Sequence, residues 1–144
     1  MPKNLKILIV EDDDLDLRLL ERAFSAEYSE AERLSYNNAH DALDHLLSCS
    51  HSFPDIILLD LNMPGMSGEE LLVILKTNKS LKTIPIIVLS TTDSPTEIHK
   101  CYMLNANAFI TKPQSLSDYH RVVRSIREFW SRSATLQATE PVIY

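Results

Sequence analysis

Gly65 and Gly68 are the only two glycines in the 144-residue sequence, and that scarcity excludes a good deal. Neither a G-x-G-x-x-G dinucleotide loop nor a Walker A phosphate loop can be written with them, so two large nucleotide-binding enzyme classes fall away. Cysteine is as rare. Cys49 and Cys101 have neither C-x-x-C spacing nor histidine pairs beside them, which reads as two reduced thiols rather than a disulfide or a zinc site. No apolar run approaches the roughly 20 residues of a membrane span. The short run Leu5 to Val10 passes directly into acids, unlike a secretory signal, so no membrane contact is expected and the cytoplasm is the expected compartment. Basic residues are outnumbered, 14 Lys and Arg against 20 Asp and Glu for a formal charge of -6, which gives no electrostatic reason to meet nucleic acid phosphates. What is present is an ordinary globular composition, 44% apolar and 24% charged, of a length that suits one domain.

Three runs, Leu5 to Val10, Asp55 to Asp60 and Ile84 to Leu89, are apolar and too short for helices; they read as strands covered on both faces. Arg33 to Asn37 and Ala108 to Thr111 supply two more. Helices are expected over Asp14 to Tyr28, capped by Asp13 or Asp14 and striped by Leu15, Leu19, Leu20, Ala23 and Phe24, then over Ala39 to Ser48, Glu69 to Lys79 and Pro95 to Leu104. The last, Ser115 to Arg132, carries Leu116, Tyr119, Val122, Val123, Ile126, Phe129 and Trp130 at spacings of three and four. Strands that alternate with helices and are themselves apolar on both faces demand a parallel sheet covered on each side, a doubly wound α/β fold. The expected organisation is one domain over residues 1–132 and a tail over 133–144, tipped by Val142, Ile143 and Tyr144, with no output domain.

In such sheets ligands bind beyond the carboxyl ends of the strands. Glu11, Asp12 and Asp13 leave strand one, Asp60 ends strand three, Ser90, Thr91 and Thr92 end strand four, and Lys112 follows strand five. Asp12 and Asp60 brought together repel unless a cation lies between them. An all-oxygen donor set with no His or Cys suits Mg²⁺. Lys112 fits as counter-ion to an anion held at Asp60, and Ser90 can donate a hydroxyl to the same anion. A carboxylate surrounded by a divalent cation, an ammonium and a hydroxyl has what phosphoryl transfer needs, with Asp60 as the nucleophile. Asp13 and Asp14 fit helix capping as well as any site role, and His40, His45, His51, His99 and His120 read as surface residues.

Four segments carry a family pattern: Ile7 to Asp12, Asp60-Leu61-Asn62-Met63-Pro64-Gly65-Met66-Ser67-Gly68, Ile86 to Ser90, and Phe109-Ile110-Thr111-Lys112-Pro113. Together they resemble a two-component response regulator receiver domain over residues 5–132, most like the stand-alone receivers paired with bacterial and cyanobacterial phytochrome kinases. The resemblance implies a flavodoxin-like sheet in order 2-1-3-4-5 and a phosphoryl group accepted on Asp60 from a sensor histidine kinase, a phytochrome among the candidates. It implies Mg²⁺ held by Asp12, Asp60 and the Asn62 carbonyl, with Glu11 acting through a water, and a Lys112–Pro113 bond that is often cis in relatives. Ser90 and Phe109 take the switch positions, and Met63 and Thr92 the modulating ones. Phe109 has no hydroxyl, so an aromatic switch here works by packing. Relatives often pair through the fourth helix, fifth strand and fifth helix, which makes Tyr102, Phe109 and Phe129 candidate homodimer contacts.

Two other functions compete. A Mg²⁺-dependent aspartyl-nucleophile phosphohydrolase needs a second acid two residues after the nucleophile, where this chain has Asn62. A degenerate receiver that binds partners without phosphorylation is disfavoured by the complete set of Asp12, Asp60, Ser90 and Lys112. The chain is expected to be a phosphoacceptor and not an enzyme.

Overall fold

The computed structural model describes residues 4–48 and 52–137; Cys49, His51 and the tail tip Val142 to Tyr144 lie outside them. Strands β1 (Lys6–Val10), β2 (Glu32–Tyr36), β3 (Ile56–Leu59), β4 (Ile86–Ser90) and β5 (Ala108–Thr111) form a single sheet in the order β2-β1-β3-β4-β5. Every pairing is parallel. β1, β3 and β4 are almost wholly buried, whereas β2 and β5 are partly exposed as the sheet's edges. The order reverses between β1 and β3, which puts the switch point between the two strands that end in acid.

The two-residue period of a strand divides the core in two. Leu8, Val10, Ile57, Leu59, Ile86 and Val88 face α2 (Ala39–Ser48), α3 (Gly68–Thr77) and Cys101 of α4 (Pro95–Met103). Ile7, Ile9, Ile56, Leu58, Ile87 and Leu89 face α1 (Asp14–Glu27) and α5 (Leu116–Ile126). Cys101 is a free, buried thiol.

Side-chain caps start most of these helices. Asp13, Ser67, Ser94 and Ser115 each accept a hydrogen bond from the backbone N–H three residues on, at Asp16, Glu70, Glu97 and Asp118, which satisfies a donor the helix leaves unpaired. Of the two expected caps of α1, Asp13 is the one used. β4 begins at Ile86 rather than Ile84 because Pro85 has no N–H to give the ladder; the Asn107 side chain accepts the Ile86 N–H at 2.9 Å instead.

Two helical expectations need correcting, and the Lys112–Pro113 bond can be assigned. The last helix does not run as α-helix to Arg132: it changes at Arg127 into a π-helical segment over Arg127–Ser133. Bonds of i to i+5 type take an extra residue per ring, so the 3.6-residue stripe fails there and Phe129 is 55% exposed rather than core. Trp130 remains against the α1/α5 core and meets the Phe129 ring edge-on at 4.9 Å. Leu15, expected in the α1 stripe, is also exposed, since the buried face of α1 runs through Leu20, Ala23 and Phe24. Finally, no described peptide bond is cis, so Lys112–Pro113 is trans.

Both glycines sit in the β3–α3 loop, for different reasons. Gly65 has φ +75, a conformation other residues adopt with strain. At Gly68 a Cβ would lie 2.0 Å from the Asp60 carbonyl oxygen, because α3 starts directly against the β3 end. Gly65→Ala is expected to cost about 1 kcal/mol, and Gly68→Ala at least about 2 kcal/mol because backbone must move. Urea denaturation of the two variants checks the ranking.

Candidate functional site

The strand ends deliver the polar residues to one edge through backbone bonds. The Glu11 N–H donates to the Tyr36 carbonyl at 3.0 Å, Asp60 N–H to Val10 at 2.9 Å and Lys112 N–H to Ser90 at 2.7 Å. The positions of Glu11, Asp60 and Lys112 are thus set by the sheet rather than by a mobile loop. Asp60 is 5% exposed and Glu11 4%, Ser90 is fully buried, and Asp12 is half-buried. Carboxylate oxygens of Glu11, Asp12 and Asp60 all lie within 4.8 Å of one another.

One cation answers them. The Lys112 ammonium, on a side chain 6% exposed, is 2.7 Å from Glu11 Oε1, 2.8 Å from Asp16 Oδ2 and 3.4 Å from Asp60 Oδ1. Burial lowers the lysine's affinity for its proton, but the hydrogen bonds of Asp16 and Glu11 and the charges of Glu11 and Asp60 outweigh it and raise the pKa well above the ordinary value. Burial raises Glu11 to about 7, assisted by the charge of Asp60 and opposed by Lys112. Asp60 is raised too, chiefly by burial, with Asp12 adding to the rise and Lys112 and Glu11 opposing it.

These groups fit a hard divalent cation. Three carboxylates converge, two are buried and held above the usual carboxylate range, and the donors are all oxygen. Asn62, whose carbonyl was expected among the ligands, follows two residues after Asp60 on the exposed loop. The Ser90 hydroxyl accepts the Thr92 N–H at 3.4 Å, and Thr92 Oγ1 accepts from the Ser94 N–H at 3.1 Å. Phe109 is half-buried against the α2/α3 side of the core, and its N–H donates to the Tyr102 hydroxyl at 3.0 Å, which ties α4 to the edge of β5. Met63 is buried in the core cluster on the α2/α3 side of the sheet. His40 stands outside this site, on the exposed face of α2 beside Asp41 and Asp44.

Sequence reasoning passed over Asp16. By type and place it is one more acid at a helix start, yet Asp16, Leu20 and Ala23 fall at i, i+4 and i+7. An acid heading a buried stripe was the signal.

A doubly wound parallel sheet whose switch-point edge holds a buried aspartate, two further carboxylates and a buried lysine has the architecture of a receiver-type α/β domain. The chain belongs to the response regulator receiver domain family, whose pattern matches residues 7–124. It is 33% identical over 136 residues to response regulator Rcp1 of Synechocystis sp., covering 92% of each chain. Among solved structures, the phosphorylated cyanobacterial phytochrome response regulator RcpA is similar with TM-score 0.86 and 36% identity, over 94% of this chain and 100% of that one. The Mn²⁺-bound form of Rcp1 matches with TM-score 0.83 and 33% identity, over 93% and 99%.

The pKa rise gives a pH dependence. A carboxyl raised in the folded chain holds its proton there after the unfolded chain has lost it, so the stability it contributes is complete below the ordinary value of 4.5 and is lost as pH climbs through about 7. Without divalent ions, the melting temperature is expected to fall between pH 5 and pH 7.5, and Mg²⁺ is expected to restore most of the loss at the higher pH. Calorimetric scans at the two pH values check it; a melting temperature that rises over that interval would contradict it.

Proposed function

We propose that the chain is a phosphorylation-switched signalling protein in which Asp60 accepts a phosphoryl group from a phosphohistidine of a sensor histidine kinase. The observation that carries the reading is the buried Asp60 carboxylate at the end of β3, with Lys112 at 3.4 Å and Glu11 and Asp12 within 4.8 Å. In the transfer an Asp60 oxygen forms the O–P bond while the N–P bond breaks, its electron pair remaining on the imidazole nitrogen. The chain's own residues supply position and charge: the β-sheet fixes Asp60, Lys112 faces the developing phosphoryl charge, and Ser90 offers a hydroxyl. Glu11, Asp12, Asp60 and the Asn62 carbonyl would hold Mg²⁺, which when bound neutralises phosphoryl oxygens.

The likeness to RcpA and Rcp1 favours a phytochrome-type kinase as the donor. The chain acts as a phosphoacceptor in the cytoplasm and not as a turnover enzyme, because Asn62 stands where an aspartyl phosphohydrolase carries its second acid. Its output is binding to protein, without nucleic acid or membrane; no described helix is long and apolar enough to cross one. Exposed Tyr102 and Met103 of α4, half-buried Phe109 of β5 and exposed Phe129 of the π-helical segment that follows α5 are apolar groups that suit a homodimer contact. Residues 1–132 act as the receiver, and 133–144 as its tail.

Acetyl phosphate with Mg²⁺ is expected to give one labile phosphoryl adduct by intact mass. The adduct is expected to be absent without Mg²⁺ and in Asp60→Asn. Steady phosphate release from a phosphomonoester would instead support the hydrolase, and no adduct under any condition the constitutive binder.

A further inference from the structure

The Lys112 ammonium has three N–H donors, and its two shortest contacts go to Glu11 and Asp16 rather than to Asp60. Of its three carboxylate partners, Asp16 alone stands outside the cluster with Asp12 and comes from a helix rather than a strand end. Asp16 heads the α1 stripe that continues through Leu20 and Ala23 and packs on α5. The facing stripe of α5 runs Tyr119, Val123, Ile126, so Tyr119 stands at the same end of the interface. Tyr119 is 1% exposed, and its hydroxyl is the one buried side-chain polar atom among the described residues with no hydrogen-bond partner. An unpaired buried hydroxyl is destabilising, and a phenyl ring of the same shape would avoid the penalty. Burial raises the Tyr119 phenol to about 12, and the negative charge of Asp16 is the next cause, so the two groups act on each other.

We propose that Asp16 and Tyr119 are positioning residues for Lys112: Asp16 holds the ammonium back from Asp60 until a phosphoryl group sits there, and the Tyr119 hydroxyl then donates to the vacated Asp16 carboxylate. The inference rests on the phosphoacceptor reading. A resting Asp60 offers at most one negative charge and competes for Lys112 on equal terms with Asp16. A phosphoryl group offers up to about two charges and three acceptor oxygens, and wins the ammonium. Asp16 would then be left a half-buried carboxylate without its cation, and the unpartnered hydroxyl on the facing helix is placed to satisfy it.

The test uses the full chain with beryllium fluoride as the phosphoryl probe, and calorimetric titration of Mg²⁺ alone and of beryllium fluoride at saturating Mg²⁺. In Asp16→Asn, Lys112 keeps Glu11 and moves closer to Asp60, so Mg²⁺ affinity falls about fivefold while beryllium fluoride affinity rises about fivefold. Asp16→Glu, which keeps the charge, returns both toward the parent. Tyr119→Phe leaves Mg²⁺ affinity within about twofold and weakens beryllium fluoride binding about fivefold. A general loss of structure weakens both ligands, so the opposite signs in Asp16→Asn are the signature. Should Asp16→Asn fail to fold, the Tyr119→Phe split decides alone. Both affinities moving together, or neither moving, overturns the inference. A parent chain that binds Mg²⁺ but neither beryllium fluoride nor a phosphoryl group from acetyl phosphate overturns the phosphoacceptor reading, and this inference with it.

Discussion

One buried ammonium has to answer several carboxylates, and the shortfall organises the molecule. Two unit charges about 4 Å apart interact by about 4 kcal/mol at an effective dielectric of about 20, so Glu11 and Asp60, both nearly inaccessible, cannot both be ionised without compensation. Lys112 supplies part of it from a distance of 2.7 Å on one side and 3.4 Å on the other. Burial, opposed by Lys112, still raises both carboxyls above the ordinary carboxylate range. A site with that deficit suits a hard divalent cation.

The sheet makes the deficit possible. Strands β1, β3, β4 and β5 all end at the same edge; Glu11, Asp60 and Lys112 each stand one residue past a strand, and Ser90 is the last residue of β4. Apolar side chains on both faces leave the strands no freedom to splay and relieve the repulsion. Gly68 lets α3 start against the Asp60 backbone. On the far side the constraint is weaker: β5 is an edge strand, and what ties α4 to it includes the single bond between the Phe109 N–H and the Tyr102 hydroxyl. A rigid site beside a weakly tied edge is a suitable arrangement for turning a charge change into a surface change.

Much of this was legible in the sequence because strand, helix and site signals agreed. Ala39–Ser48 and Ala108–Thr111 have the bounds that periodicity assigned them, and the strand-end rule brought Glu11, Asp12, Asp60, Ser90 and Lys112 to one edge before any coordinates. Other features were not legible for physical reasons. A π-helical segment leaves no mark in a pattern read at 3.6 residues per turn, so Phe129 was placed inside. Leu15 fits a helical stripe by type but lies off the face that α1 turns to the sheet. Asp16 and Tyr119 were hidden because each belongs to a stripe by position, and which polar atoms meet across two helices depends on how those helices cross.

The most direct measurement is the urea unfolding of Lys112→Met at pH 7 and pH 5 without divalent ions. Removing one partner of a buried ion pair typically costs about 3–5 kcal/mol. The account predicts a loss of that size at pH 7, much reduced at pH 5 where Glu11 can take up a proton. A variant as stable as the parent at pH 7 would contradict it, because the buried carboxylates would then not depend on Lys112.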